Sequence, residues 1–119
     1  MITNKDIDEA IRFGIDRNIY KDAKELTEQY LMDRLGLSLA IESNLEKRDP
    51  RNKTYCCHFH PKNLFKYLYE NTVTHARFDE TALKHMLDDI TTDAKKNDID
   101  IRYGILSNGF CGVSFTKTK

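Results

Sequence analysis

Two cysteines and two histidines lie within five positions of the segment YCCHFHP, residues 55–61. On a β-strand, successive side chains point to opposite faces, so Cys56, His58 and His60 would share one face. The other face, with Cys57 between two aromatic residues, is typical of a protein core. Thiolate and imidazole are the ligands that zinc prefers, and a catalytic zinc site needs three of them and an open position. Cys56, His58 and His60 are therefore the candidate metal ligands.

The same two imidazoles suggest acid–base chemistry as an alternative to metal binding. His58 and His60, with a lysine or arginine nearby to stabilise an anion, would suit the cleavage of phosphodiesters. The sequence contains no Gly-rich phosphate loop, no G-x-S-x-G motif and no His-Glu-x-x-His motif. We therefore expect a protein that is not an enzyme and has no cofactor, with a His-based or metal-dependent nuclease as the alternative.

Charge is distributed unevenly along a chain whose formal net charge is zero. Residues 1–46 carry ten acidic and six basic side chains, and residues 70–100 carry eight and four. Residues 47–69 have six basic side chains and one acidic. This basic block predicts a surface for an acidic protein partner, with nucleic acid as a second type of partner. Its members are Lys47, Arg48, Arg51, Lys53, Lys62 and Lys66.

The spacing of apolar residues indicates the elements that must position these side chains. Helical periodicity, with capping residues at Thr3 and Asp79, predicts helices at about 3–17, 18–35, 61–71 and 80–96. Alternation predicts strands at 37–43 and 53–60, and Asn108-Gly109 predicts a type I′ hairpin within 101–115. The expected fold is one α+β domain over residues 1–119. About four helices would cover an antiparallel sheet of about four strands, two hairpins, in the order ααββααββ.

Two alternatives concern particular segments of this arrangement. Leu-Gly-Leu-Ser at 35–38 resembles the turn of a helix-turn-helix DNA-binding regulator, with Gly36 at the turn. The would-be recognition helix has no basic residue before Lys47, and the surrounding segment is acidic, so this is a secondary alternative. The last strand, which ends in lysines, is a candidate for the edge of the sheet.

Length and composition limit the class of protein. A chain of 119 residues and 13.9 kDa can bury a core without disulfides. No apolar run approaches 18 residues, and three cysteines do not form a disulfide framework, so we expect a cytoplasmic protein with no membrane contact. The leading hypothesis is a small binding protein with a protein partner, and self-association is also open. Its composition suggests an AT-rich genome, and hence a phage or mobile-element accessory protein that inhibits a host defence complex.

Overall fold

The computed structural model describes residues 1–13, 17–45 and 53–119. Within these ranges the chain forms an α+β domain of four helices and one three-stranded antiparallel sheet. The helices are α1 (Asn4–Phe13), α2 (Arg17–Leu45), α3 (Pro61–Asn71) and α4 (Glu80–Lys95), and the strands are β1 (Thr54–Phe59), β2 (Ile99–Ile105) and β3 (Cys111–Lys117). The α+β class is confirmed. The observed order is ααβααββ, so the predicted fourth strand and the predicted ααββααββ order are not confirmed.

The missing strand, residues 37–43, is part of α2. Its alternation of apolar and polar residues fits a strand, but a segment of seven residues is short enough to fit a helix as well. Gly36 costs a helix only about 1 kcal/mol relative to alanine, and Leu, Ala and Glu favour helix on both sides of it. The helix therefore continues through Gly36, and Leu37 is 57% exposed rather than directed into the core. The turn that a helix-turn-helix needs at this position does not form.

The sheet has the order β1-β3-β2, with β3 at its centre. Thr54 pairs with Thr116 and Phe59 with Cys111 along β1, while Ile99 pairs with Lys117 along β2. The predicted partner of β1 forms helix instead, so β1 pairs with β3, which is distant in sequence. The expectation that the last strand is an edge is wrong, because β3 is hydrogen-bonded on both sides.

The turn between β2 and β3 differs in type from the prediction, although the hairpin itself is confirmed. The amide of Leu106 donates to the carbonyl of Phe110 at 2.7 Å, and that of Gly109 donates to the carbonyl of Leu106 at 2.9 Å. Gly109 has φ 87°, whereas Asn108 is not among the residues with positive φ. A type I′ turn needs positive φ at both central residues, so this is a type I turn followed by a glycine bulge. The Asn108 side chain accepts from the amide of Phe110 at 3.0 Å.

Each of the four helices overlaps a predicted helix, although α2 continues to Leu45, beyond its predicted end at about residue 35. The predicted capping residues cap two of the helices. Thr3 Oγ1 accepts from the amide of Asp6 at 3.2 Å, and Asp79 Oδ1 accepts from the amide of Ala82 at 2.8 Å. The apolar stripes of α2, α3 and α4 meet the inner face of the sheet. The core contains Tyr20, Ala23, Leu31, Leu35, Leu64, Leu68, Leu83, Met86, Leu87 and Ile90 from these helices, with Cys57, Phe59, Ile101, Cys111 and Val113 from the sheet. No helix in the described ranges is both long and apolar enough to span a membrane.

Candidate binding site

The segment 55–59 divides between the two faces of the sheet as its alternation predicts. Cys57 and Phe59 are fully buried on the helix side, and Cys56 and His58 are exposed on the other side. Cys111 is buried beside Phe59 on the neighbouring strand. Burial raises the pKa of the Cys57 and Cys111 thiols to about 11. Both thiols therefore stay protonated at neutral pH, and Cys56 is the accessible one.

The three candidate zinc ligands do not form a ligand set. His60 lies beyond the end of β1, where its Nδ1 caps α3 by accepting from the amide of Lys62 at 3.2 Å. Its ring packs edge-on against Phe110, with the centroids 5.1 Å apart. The His58 ring instead covers Gly112 on β3, with Cδ2 3.4 Å from the position of a Cβ there. Among the described residues, no group of three or more His, Cys, Asp or Glu side chains could hold a metal ion.

The exposed face of the sheet brings together residues from all three strands. Cross-strand register places Cys56 beside Ser114 and Ser114 beside Arg102, and the adjacent row contains His58, Gly112 and Gly104. Because two of these three neighbours are glycines, the row leaves a hollow of about 310 Å³. Its lining consists of Cys56, His58, Arg102, Tyr103, Gly104, Gly112, Val113 and Ser114. Here Cys56 and His58, which the sequence analysis singled out, lie beside Arg102 and Ser114, which it did not.

The hollow suits a negatively charged group. The Arg102 Nε donates to Asp100 Oδ2 at 3.2 Å, and the Arg102 side chain is 83% exposed. A guanidinium has five N–H donors, so the pair with Asp100 leaves others for a further carboxylate. Ser114 adds a hydroxyl donor. A Cβ built on Gly104 meets nothing within 4 Å, so the floor beside Arg102 is accessible to a ligand.

The basic block is not a single surface among the residues whose structure is described. Lys53 precedes β1 and Lys62 follows its end, and a six-residue strand separates such positions by about 20 Å. Lys66 lies one turn beyond Lys62 on α3, and its Nζ is 3.9 Å from Glu70 Oε1. Lys47, Arg48 and Arg51 lie outside the described residues.

A second basic surface lies between α3 and the segment leading to α4. The Arg77 guanidinium carbon lies 5.4 Å from the centroid of the Tyr69 ring, which fixes the side chain over an aromatic face. Arg77 and Lys66 face a shallow hollow of about 420 Å³ whose other walls are Phe65, Tyr69 and Phe78. Lys66 was predicted as a partner-binding residue, whereas Arg77 was not.

Sequence reasoning also missed Arg102 and Ser114. The alternation of IRYGI and CGVSF places Arg102 and Ser114 on the polar side of their strands, so that signal was present. Their position next to Cys56 depends on β1 pairing with β3, which no local pattern indicates.

Within the described ranges, the chain is a two-layer α+β protein in which no helix covers the sheet face that carries Cys56 and His58. No protein-family model, curated protein or solved structure matches the chain.

Proposed function

We propose that this chain is a small, non-enzymatic binding protein that receives an acidic group of a protein partner on the open face of its sheet. The observation that carries the proposal is the hollow beside Arg102, whose open floor is Gly104 and whose far side is the His58 ring over Gly112. A carboxylate of the partner would accept from Arg102 and Ser114 there. His58 would form the opposite wall.

The glycine floor is the part of this site that favours a macromolecular partner. Nothing lies within 4 Å of a Cβ at Gly104, so a protruding residue of the partner can approach the backbone of β2 closely, whereas the His58 ring covers Gly112. A charge-assisted hydrogen bond to Arg102 would then fix its orientation. Polar and charged groups of this kind contribute to specificity and to the rate of association more than to affinity.

The wider setting of the proposal depends on composition and size. We propose a cytoplasmic host protein complex as the partner and a phage or mobile-element origin for the chain. The three free cysteines are in keeping with a reducing compartment. The basic side chains on α3 would extend the contact or supply a separate one, for protein or nucleic acid.

A substitution that fills the hollow tests the proposal. Gly104→Tyr adds a ring where a Cβ meets nothing within 4 Å, and Gly104 does not have positive φ. We expect the variant to fold and to lose its partner. Gly36→Tyr is the matched control, because Gly36 is also exposed with nothing within 4 Å of a Cβ, but lies on α2.

The measurement is chemical cross-linking followed by affinity capture from host lysate, with the wild type and both variants compared. A stoichiometric protein captured by the wild type and Gly36→Tyr, but not by Gly104→Tyr, supports the open face. Equal capture by the wild type, Gly104→Tyr and Gly36→Tyr would show that the partner binds another surface. Metal-dependent cleavage of nucleic acid that is lost in both His58→Ala and His60→Ala would replace the proposal with the phosphodiesterase alternative.

A further inference from the structure

The outer edge of β2 has backbone groups without partners in the described structure. Antiparallel strands alternate between hydrogen-bonded and non-hydrogen-bonded pairs. Two flanking bonds fix this alternation, because the amide of Thr118 donates to Asp98 and that of Leu106 donates to Phe110. Even-numbered residues of β2 therefore bond to β3. The amides and carbonyls of Ile99, Ile101, Tyr103 and Ile105 point away from the sheet.

We propose that this edge binds the same edge of a second copy of the chain, forming a continuous six-stranded antiparallel sheet. Hydrogen bonds across the new junction must join residues whose backbone groups point outward. Only registers that place odd-numbered residues opposite odd-numbered residues meet that condition. Such registers differ from one another in which charged side chains they bring together.

Charge selects one of these registers. With Ile101 on the two-fold axis, Asp100 of each copy lies opposite Arg102 of the other, in a non-hydrogen-bonded pair where side chains are closest. A shift of the pairing by two residues in one direction places Arg102 opposite Arg102. The same shift in the other direction places Asp100 opposite Asp100. It also brings Arg102 to Asp98, but Asp98 precedes the strand, has φ 62° and already pairs with Lys119, with Nζ and Oδ2 3.5 Å apart. The segment Ile99–Ile105 is thus complementary to itself in charge in a single central register.

Apolar side chains on the helix-covered face of β2 would also contact a second copy. Ile99 and Tyr103 are half-buried and would lie opposite each other across the junction. The Tyr103 hydroxyl donates to Asp88 Oδ1 at 2.6 Å, which holds the ring against α4. Because a short strand contributes a small interface, we expect a weak dimer that forms only at high concentration.

A two-fold axis perpendicular to the sheet keeps both open faces on the same side. The dimer would therefore present two copies of the hollow on one surface, related by the axis. Arg102 belongs to both contacts, but Gly104 lies outside the central pairs of the dimer, so Gly104→Tyr separates the two proposals: it should lose the partner and still dimerise. A dimer without a partner, or a partner without a dimer, would separate the two proposals.

Charge reversal tests the register. Sedimentation equilibrium at low ionic strength, up to about 1 mM protein, should show reversible dimerisation of the wild type. Arg102→Asp and Asp100→Arg each turn two attractive pairs into repulsive ones, so each should weaken dimerisation about tenfold or more. The double variant Asp100→Arg/Arg102→Asp should restore it. Lys62→Glu, on α3, is the control and should dimerise as the wild type does.

An equimolar mixture of the two single variants gives the sharpest result, because each supplies the charge that the other lacks. The mixture should form a heterodimer at concentrations where neither variant self-associates, and circular dichroism should show that both are folded. A wild type that stays monomeric throughout the range overturns the proposal. So does a dimer unaffected by the single reversals, or one that neither the double variant nor the mixture restores.

Discussion

The two edge strands of the sheet, β1 and β2, differ in whether a described side chain bonds to their outward backbone groups. On β1, the Arg34 side chain of α2 donates from Nε and from a terminal nitrogen to the carbonyl of His58, at 3.3 and 3.2 Å. The flanking bond from Lys117 to Lys53 shows that this carbonyl points outward from β1. On β2, no described side chain takes a corresponding position. Arg34 of α2 thus occupies an outward carbonyl of the β1 edge, whereas the β2 edge carries Asp100 and Arg102, whose charges favour a complementary strand.

The largest difference between the two edge strands should be their contribution to the core. Phe59 of β1 is 1% exposed, whereas Ile99 of β2 is half-buried. We expect Phe59→Ala to lower the free energy of unfolding by about 3–5 kcal/mol, and Ile99→Ala by about 1 kcal/mol. Urea unfolding followed by circular dichroism measures both. Similar losses would mean that the two edges are anchored equally.

The closure of the β1 edge by Arg34 should have a smaller effect on stability. Arg34→Ala removes two hydrogen bonds to His58 and the packing of the side-chain stem, which together contribute about 1–2 kcal/mol. Arg77→Ala is the control, because Arg77 is exposed and stacks on Tyr69 rather than on the sheet, and it should change stability by only about 0.5 kcal/mol. Equal effects of the two changes in urea unfolding would contradict the role given to Arg34.

On the β2 edge, Tyr103 should make stability depend on alkaline pH. Burial, and then the hydrogen bond to Asp88, raise the pKa of Tyr103 from 10.0 to about 12. The folded state therefore holds this proton more tightly than the unfolded state, and the resulting stability is complete below pH 10. It is lost as pH rises towards 12. Tyr103→Phe should show a shallower fall in melting temperature across this range, and an unchanged slope would remove Tyr103 as the cause.

The smallest effect, and the most local, concerns single amides of β2. Ile101 and Tyr103 have outward amides, whereas the amides of Arg102 and Gly104 point towards β3. Hydrogen exchange measured by NMR at low protein concentration should therefore alternate along the strand, fast at the odd positions and slow at the even ones. Higher concentration should slow the odd positions if the second copy binds here. Uniform protection at low concentration would show that something else covers this edge.

Much of the local structure follows from patterns that the sequence displays. The stripe from Tyr20 to Leu35 is buried as its spacing predicts, and Pro61 and Asp79 mark the starts of α3 and α4. Residues 37–43 form helix although they alternate between apolar and polar residues, because seven residues are too few to separate the two periods. Tertiary context decides such runs, since the free-energy difference between the two local conformations is small.

The candidate site could be predicted only in part for a related reason. Cys56 and His58 are exposed because side chains alternate on a strand, and that alternation is visible in six residues. His60 follows the same alternation in sequence, but Pro61 starts a helix there, and His60 becomes its cap. Arg102 and Ser114 join the site only because β3 lies between β1 and β2.

The sequence by itself determined the α+β class, the helix starts, the buried stripes and the division of YCCHFHP into two faces. These depend on interactions between residues a few positions apart, which local chemistry fixes. Only the tertiary structure decided the strand order, the neighbours of Cys56 and His58, and which edge Arg34 closes. Those depend on contacts between distant segments, where many pairings satisfy the same local pattern and packing of the whole core selects one.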